Sequence, residues 1–117
     1  MRPRDRDLYR PVNVLFVCTL NQARSVTAER LFRRMPGFQV RSGGTSERAR
    51  HQVAENDLIW ADLVIVFEPA HEAWLSATFA GDLPEIVDVG IPDRFAAEDP
   101  ELVTELREVV GPLLAAR

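Results

Sequence analysis

The chain has 117 residues, of which 46% are apolar and 27% charged, and a formal net charge of −4 at pH 7. This size and balance predict one domain able to bury a core, exclude a membrane span of roughly 18 to 20 apolar residues, and argue against nucleic acid as the main partner. A charged N-terminus without an apolar segment, together with one cysteine and hence no internal disulfide, predicts a cytoplasmic protein.

The first predicted elements are a strand, a helix and a second strand. Residues 1–11 alternate Arg and Asp and end in proline, so we expect a flexible extension ahead of a domain at residues 12–117. N-V-L-F-V-C (13–18) is a continuous apolar run, which is typical of a strand buried on both faces. Residues 24–35 have apolar side chains at helical spacing, and Pro36 and Gly37 end that helix. F-Q-V-R-S, which follows Gly37, predicts a short strand before the turn-prone G-G-T-S.

The second half repeats this alternation. We predict a helix over about 53–61, a central strand over 62–67, a helix over 69–79, a strand over 85–89 and a closing helix over 99–114 that Gly111 and Pro112 could kink. Alternating strands and helices predict a single three-layer α/β/α domain with a four-stranded parallel sheet, of the flavodoxin-like type. Ligands bind such sheets beyond the carboxyl ends of the strands. Cys18 lies at one of these ends.

The segment C-T-L-N-Q-A-R-S (18–25) carries the most specific signal. By residue type alone, a cysteine that ends a buried strand is a small core residue. Arg24 six positions later, Ser25 directly after it, and the strand before and helix after favour a phosphate site instead. A loop of this size can wrap so that its backbone N–H groups point inward at a helix start, while the arginine grips two phosphate oxygens. The loop residues are Thr19, Leu20, Asn21, Gln22 and Ala23.

The same loop would activate the thiol. Inward N–H groups and the helix dipole favour the thiolate of Cys18, which suits attack by sulfur on phosphorus and a phosphocysteine intermediate. Asn21 tolerates the left-handed conformation that a closed loop requires. Ser25 either donates a hydrogen bond to the sulfur or is only a polar residue of the first helical turn.

Two aspartates are candidates for the general acid, and both lie in I-P-D-R-F-A-A-E-D-P (91–100). Asp99 precedes Pro100 and Glu101 at the start of an amphipathic helix, which is the signature of a helix N-cap. Asp93 has no such structural explanation and follows the fourth strand. We therefore predict Asp93 as the acid and keep Asp99 as the alternative.

At this point a family resemblance emerges. N-V-L-F-V-C-T-L-N-Q-A-R-S-V-T-A-E (13–29) resembles the phosphate loop and first helix of the low-molecular-weight protein tyrosine phosphatases, R-S-G-G-T-S (41–46) is similar to their S-x-G-T segment, and the likeness runs to the end of the chain. It implies the phosphotyrosine phosphatase I-like fold, in a compact bacterial branch. I-P-D-R-F matches the family's V-P-D-P-Y-like acid loop at Asp93, which implies that Phe95 walls the pocket. Ser42 is implied to hydrogen-bond to the loop through Asn21, unless it merely caps a turn.

The chain departs from the family at several positions. Arg94 stands where relatives have proline, Leu20 replaces a frequent glycine and Val26 a frequent proline. Glu47 and Arg48 occupy the place of an aromatic wall. Ala23 stands where some relatives carry a second, protective cysteine, so we expect peroxide to inactivate this protein without internal rescue.

These features predict a cysteine-dependent phosphomonoester hydrolase, with protein tyrosine phosphatase activity implied by the resemblance. An arsenate reductase that borrows an external thiol and a non-catalytic phosphate-binding module are the alternatives. The expected partners are a phosphorylated protein or small phosphoester, and inorganic phosphate or another oxyanion in the loop, without nucleic acid or membrane. Without a spaced cluster of cysteine, histidine and acid, we predict no metal site, and no cofactor is expected. His51 and His71 are expected to be structural or solvent-facing.

Overall fold

The computed structural model describes residues 10–117, so most of the predicted extension (residues 1–9) lies outside the described residues. Strands and helices alternate along this range. The strands are β1 (Val12–Cys18), β2 (Phe38–Gly44), β3 (Leu63–Val66) and β4 (Glu85–Asp88). The helices are α1 (Arg24–Phe32), α2 (Glu55–Trp60), α3 (Pro69–Thr78) and α4 (Pro100–Ala115). No helix within residues 10–117 is long and apolar enough to cross a membrane.

The four strands form one parallel sheet in the order β2-β1-β3-β4. The predicted α/β class, the parallel sheet and its four strands are therefore confirmed. After β1 the chain first adds β2 on one side and then β3 on the other, so the strand order reverses at β1. A crevice for ligands opens beyond the carboxyl ends of the strands at such a reversal. Cys18 is the last residue of β1 and lies at this edge.

Helices cover both faces of the sheet, which explains the continuous apolar run of the first strand. Residues 14–17 are fully buried, and successive side chains point to opposite faces. Val14 and Phe16 pack in the layer that includes α1 and α4, whereas Leu15 and Val17 pack in the layer that includes α2 and α3. Burying each large apolar side chain contributes about 1.5–3 kcal/mol relative to leaving it exposed.

Two helix ends and the course of the last helix have local physical reasons. Helix α1 ends at Phe32 rather than at residue 35, because Pro36 disfavours helical geometry in the residue before it. Helix α2 begins only at Glu55, because the Val53 N–H donates to the Gly44 carbonyl and extends the pairing beyond β2. Helix α4 continues as one helix through Pro112, since the carbonyl left without a partner belongs to the exposed Glu108.

Candidate active site

The loop at residues 19–23 joins β1 to α1 and is held from outside by its carbonyl oxygens. N–H groups of the segment 45–50 donate hydrogen bonds of 3.0 to 3.1 Å to the carbonyls of Cys18, Thr19 and Leu20. A trans peptide places its N–H opposite its carbonyl, so the N–H groups that follow these carbonyls point away from the segment 45–50. Among residues 10–117, no protein group accepts a hydrogen bond from the backbone N–H of residues 19–23. These donors are thus available to an oxyanion.

Two backbone features allow the tight loop. Asn21 has φ 55°, the left-handed conformation predicted for it. Gly44 lies directly behind the loop, where a Cβ atom would stand 2.5 Å from the Thr19 carbonyl oxygen and 3.1 Å from the Asn21 nitrogen. Any side chain at position 44 would therefore displace the loop.

A hydrogen-bonded chain of side chains leads from the loop to the thiol. The Asn21 Nδ2 donates to Ser25 Oγ at 2.9 Å, and Ser25 Oγ lies 2.9 Å from Cys18 Sγ. Because the serine oxygen accepts from the amide, its own hydrogen is free to point at the sulfur. All three residues are at least 97% buried. The structure places Ser25 against the sulfur, the first of the two roles considered for it.

Arg24 begins α1 and is almost completely buried (1% exposed). Its Nη1 donates to Glu68 Oε2 at 2.8 Å and to the Ile91 carbonyl at 3.0 Å, and the Phe67 ring lies 5.8 Å from Cζ. Both hydrogens of Nη1 are used in this way, which leaves Nη2 and Nε for an oxyanion. Its Nη2 lies 3.8 Å from Asp93 Oδ2.

Glu68 is a partner of the site that sequence reasoning missed. The hydrogen bond from Arg24 holds the pKa of the Glu68 carboxyl below its ordinary value. A buried guanidinium needs such an anion, because a charge taken out of water without a partner is costly. The available signal was its position two residues after β3, at the same edge of the sheet as Cys18.

His71 was expected to be structural or solvent-facing, and it is a buried contact of the loop at residues 19–23. Its Nδ1 accepts a hydrogen bond from the Phe67 N–H at 3.2 Å, so the neutral ring carries its hydrogen on Nε2. The Nε2 lies 3.0 Å from Thr19 Oγ1 and 3.7 Å from Glu68 Oε2. Burial lowers the pKa of His71 despite the opposing charge of Glu68. His51, in contrast, is exposed and bonds to Asp57 at 2.9 Å.

The expected hydrogen bond of Ser42 to the loop through Asn21 is not formed. Ser42 Oγ donates instead to Glu29 Oε1 on α1. A carboxylate is a stronger acceptor than an amide oxygen, so the Ser42 hydroxyl pairs with Glu29 rather than with Asn21 Oδ1. Asn21 Oδ1 consequently has no hydrogen-bond partner among residues 10–117. Ser42 and Asn21 still border one polar pocket behind the loop.

A cleft of about 390 Å³ opens over the loop and brings most of the predicted residues together. Phe95 forms part of its wall but is only 9% exposed, because the ring also belongs to the core. Asp93 borders the cleft with a side chain that is 62% exposed. The lining residues are Cys18, Leu20, Gln22, Ala23, Arg24, Asp93, Phe95, Ala96 and Ala97.

Asp99 does not border this cleft. Its Oδ1 accepts a hydrogen bond from the Glu101 N–H at 2.8 Å, with Pro100 as the first residue of α4. The predicted N-cap is therefore confirmed. Within the described range, no group of three or more His, Cys, Asp or Glu side chains could hold a metal ion.

Comparisons with known proteins bear on the fold. Neither a scan against protein-family models nor a search of curated proteins finds a match. Among solved structures, the low-molecular-weight protein tyrosine phosphatase from T. tengcongensis is 23% identical with a TM-score of 0.70, and the match covers 91% of this chain and 99% of that one. The phosphatase SP-PTP from Streptococcus pyogenes is 19% identical with a TM-score of 0.75, covering 90% and 92%. The YwlE arginine phosphatase from Geobacillus stearothermophilus is 23% identical with a TM-score of 0.62, covering 92% and 97%. The likeness spans nearly the whole of each phosphatase, so the resemblance seen in the sequence is confirmed as one of fold: this chain has the fold of the low-molecular-weight protein tyrosine phosphatases.

Proposed function

We propose that this protein is a cysteine-dependent phosphomonoester phosphatase. One observation carries the proposal: Cys18, the buried Arg24 and Asp93 line a single cleft beside five backbone N–H groups that no atom of residues 10–117 uses. The N–H groups and the guanidinium neutralise the phosphate oxygens and stabilise the charge that spreads over them during transfer. The fold is that of known phosphatases, which is consistent with this chemistry but does not by itself assign it.

The reaction proceeds in two steps. The Cys18 thiolate attacks phosphorus, the bond to the leaving oxygen breaks, and protonated Asp93 gives its proton to that oxygen. Water then attacks the phosphocysteine, its proton passes to the Asp93 carboxylate, and the P–S bond breaks to release phosphate and the thiolate. Ser25 stabilises the sulfur anion through its hydroxyl at 2.9 Å.

A phosphotyrosyl protein is the substrate that we propose. Arg24 at the base of the cleft and Phe95 in its wall fit a phosphate carried on an aromatic ring. The neighbour named as an arginine phosphatase makes a phosphoarginyl peptide the first competing substrate to test.

The proposal is tested by aryl phosphate hydrolysis with wild type and three variants. We expect Cys18→Ser to abolish turnover and Asp93→Asn to lower kcat about 100-fold, the usual contribution of a general acid. Asp99→Asn is the matched control, because asparagine also caps helices, and it should keep full activity. Tight phosphate binding without hydrolysis of any ester would instead indicate a binding module. Arsenite release that depends on added thiol would indicate an arsenate reductase.

A further inference from the structure

The loop that carries Asp93 is tied to helix α1 on both sides of the aspartate. Ahead of it, the Ile91 carbonyl accepts a hydrogen bond from Arg24 Nη1 at 3.0 Å. Beyond it, the Glu98 N–H donates to Thr27 Oγ1 at 3.0 Å. Arg24 and Thr27 are three residues apart and therefore share one face of α1. This face holds both the phosphate-binding arginine and the two anchors of the acid loop.

The anchor at Glu98 holds a conformation that this residue does not favour. Glu98 has φ 65°, and the left-handed region is strained for a residue that carries a side chain. Two contacts with α1 oppose that cost: the Thr27 hydroxyl on the Glu98 N–H, and Arg30 Nη1 at 3.0 Å from Glu98 Oε1. Thr27 is 1% exposed, whereas the Arg30 and Glu98 side chains are 47% and 54% exposed. The buried contact of Thr27 is the stronger of the two, because exposed ion pairs contribute little.

Asp93 depends on these anchors because its own side chain is not held in place. The carboxylate is 62% exposed, and its oxygen lies 3.8 Å from Arg24 Nη2, beyond hydrogen-bond distance. Its position over the cleft is thus set by the backbone of residues 91–98. A misplacement of about 1 Å is enough to weaken proton transfer severely.

We propose that Thr27 is a positioning residue for the general acid: its hydroxyl holds the Glu98 N–H and thereby fixes Asp93 over the phosphate loop. This inference rests on the proposed phosphatase function. It makes the proton-donating step, and not phosphate binding, sensitive to a side chain that does not border the cleft.

The test compares substrates whose leaving groups need the acid to different degrees. Phenyl phosphate has a basic leaving group that requires a proton, whereas 4-nitrophenyl phosphate leaves readily without one. We expect Thr27→Val, which keeps the shape and loses the acceptor, to lower kcat/KM for phenyl phosphate about tenfold, the effect of one lost hydrogen bond, and for 4-nitrophenyl phosphate less than about twofold. Inhibition by inorganic phosphate should be unchanged, and Thr27→Ser should restore both rates.

Thr104→Val is the matched control, because within residues 10–117 the Thr104 hydroxyl bonds only to the Pro100 carbonyl of its own helix. If Thr27→Val does not fold, Arg30→Gln loosens the same anchor from the surface and should show a smaller selective loss. An equal loss for both esters together with weaker phosphate inhibition would overturn the proposal, as would no loss at all. Asp93→Asn separates the two levels of inference. If Asp93→Asn lowers kcat/KM equally for the two esters, the proposed acid is wrong. If Asp93→Asn lowers it more for phenyl phosphate and Thr27→Val does not, only the positioning role is wrong.

Discussion

The Ser25 hydroxyl lies between the amide of Asn21 and the sulfur of Cys18, and it gives the sulfur one directed donor. We predict that Ser25→Ala lowers the rate of aryl phosphate hydrolysis about tenfold, because a hydrogen bond to the reacting sulfur is lost. The measurement is aryl phosphate turnover, with inhibition by inorganic phosphate as a check that the loop is intact. Ser76→Ala on the exposed side of α3 is the control. Unchanged turnover would assign Ser25 to helix structure alone.

The lowered pKa of His71 predicts that the free energy of unfolding depends on pH. Burial lowers its pKa below the ordinary 6.5 and Arg24 lowers it further, against the opposing charges of Glu68, Asp88 and Asp93. Because the pKa of His71 is lower in the folded chain, the unfolded chain binds the proton more readily as the pH falls below about 6.5. The contribution of neutral His71 is therefore fully present above about pH 6.5 and is lost as the pH falls through its folded pKa.

Replacing this histidine should flatten that dependence. We expect His71→Gln to be less stable than wild type at pH 7 and to lose less free energy of unfolding than wild type between about pH 7 and 5. Urea unfolding at several pH values measures both quantities. Parallel stability curves for the two proteins would show that His71 does not titrate in this window.

At the scale of residues, the sequence was informative where the site is local. Cys18, Arg24 and Ser25 belong to one short segment, so their spacing alone indicated a common anion site. The roles of Glu68 and His71 depend on contacts 44 and 52 residues away along the chain, to Arg24 and Thr19. Such pairings exist only after β3 lies beside β1. The partner of Ser42 was wrong for a related reason, since the choice between Asn21 and Glu29 depends on side-chain geometry.

At the scale of elements, the N-terminus of α4 separates a structural aspartate from the proposed acid. Asp99→Ala should lower the free energy of unfolding by about 1 kcal/mol, because the Glu101 N–H loses its acceptor. Asp99→Asn should keep most of that stability. Thermal denaturation of both variants checks this, and aryl phosphate hydrolysis by the folded proteins should stay at the wild-type level. A large loss of activity in both would move the acid from Asp93 to Asp99.

Strands were easier to locate in the sequence than helix ends. β1 and β3 were placed within one residue, because burial on both faces demands an unbroken apolar run. The ends of α1 and α2 depend on Pro36 and on pairing with Gly44, which helical periodicity does not encode. The contact of Glu98 with α1 could not be predicted either, since no sequence pattern indicates a glutamate in the left-handed conformation.

At the scale of the whole molecule, a single cysteine determines the response to oxidants. Cys18 is the one thiol of the chain, so its sulfenic acid has no internal cysteine with which to form a disulfide. We expect hydrogen peroxide to abolish activity, inorganic phosphate to slow the inactivation, and only added thiol to restore turnover.

Intact mass and activity, followed together, test this expectation. Cys18→Ser is the control and reports oxidation of the two methionines alone. Recovery of wild-type activity after removal of peroxide, without any added thiol, would contradict the prediction.

Gly44 affects the shape of the loop at residues 19–23 without contributing a functional group to the proposed reaction. The residue is buried behind the loop at residues 19–23, and an alanine methyl there would meet the Thr19 carbonyl and the Ala49 side chain at 2.5 and 2.6 Å. Such a variant would push the loop out of shape from the rear while the thiol, the guanidinium and the carboxylate all remain in the chain. Comparison with wild type would then measure what the curvature of the main chain contributes to turnover, separately from every functional group.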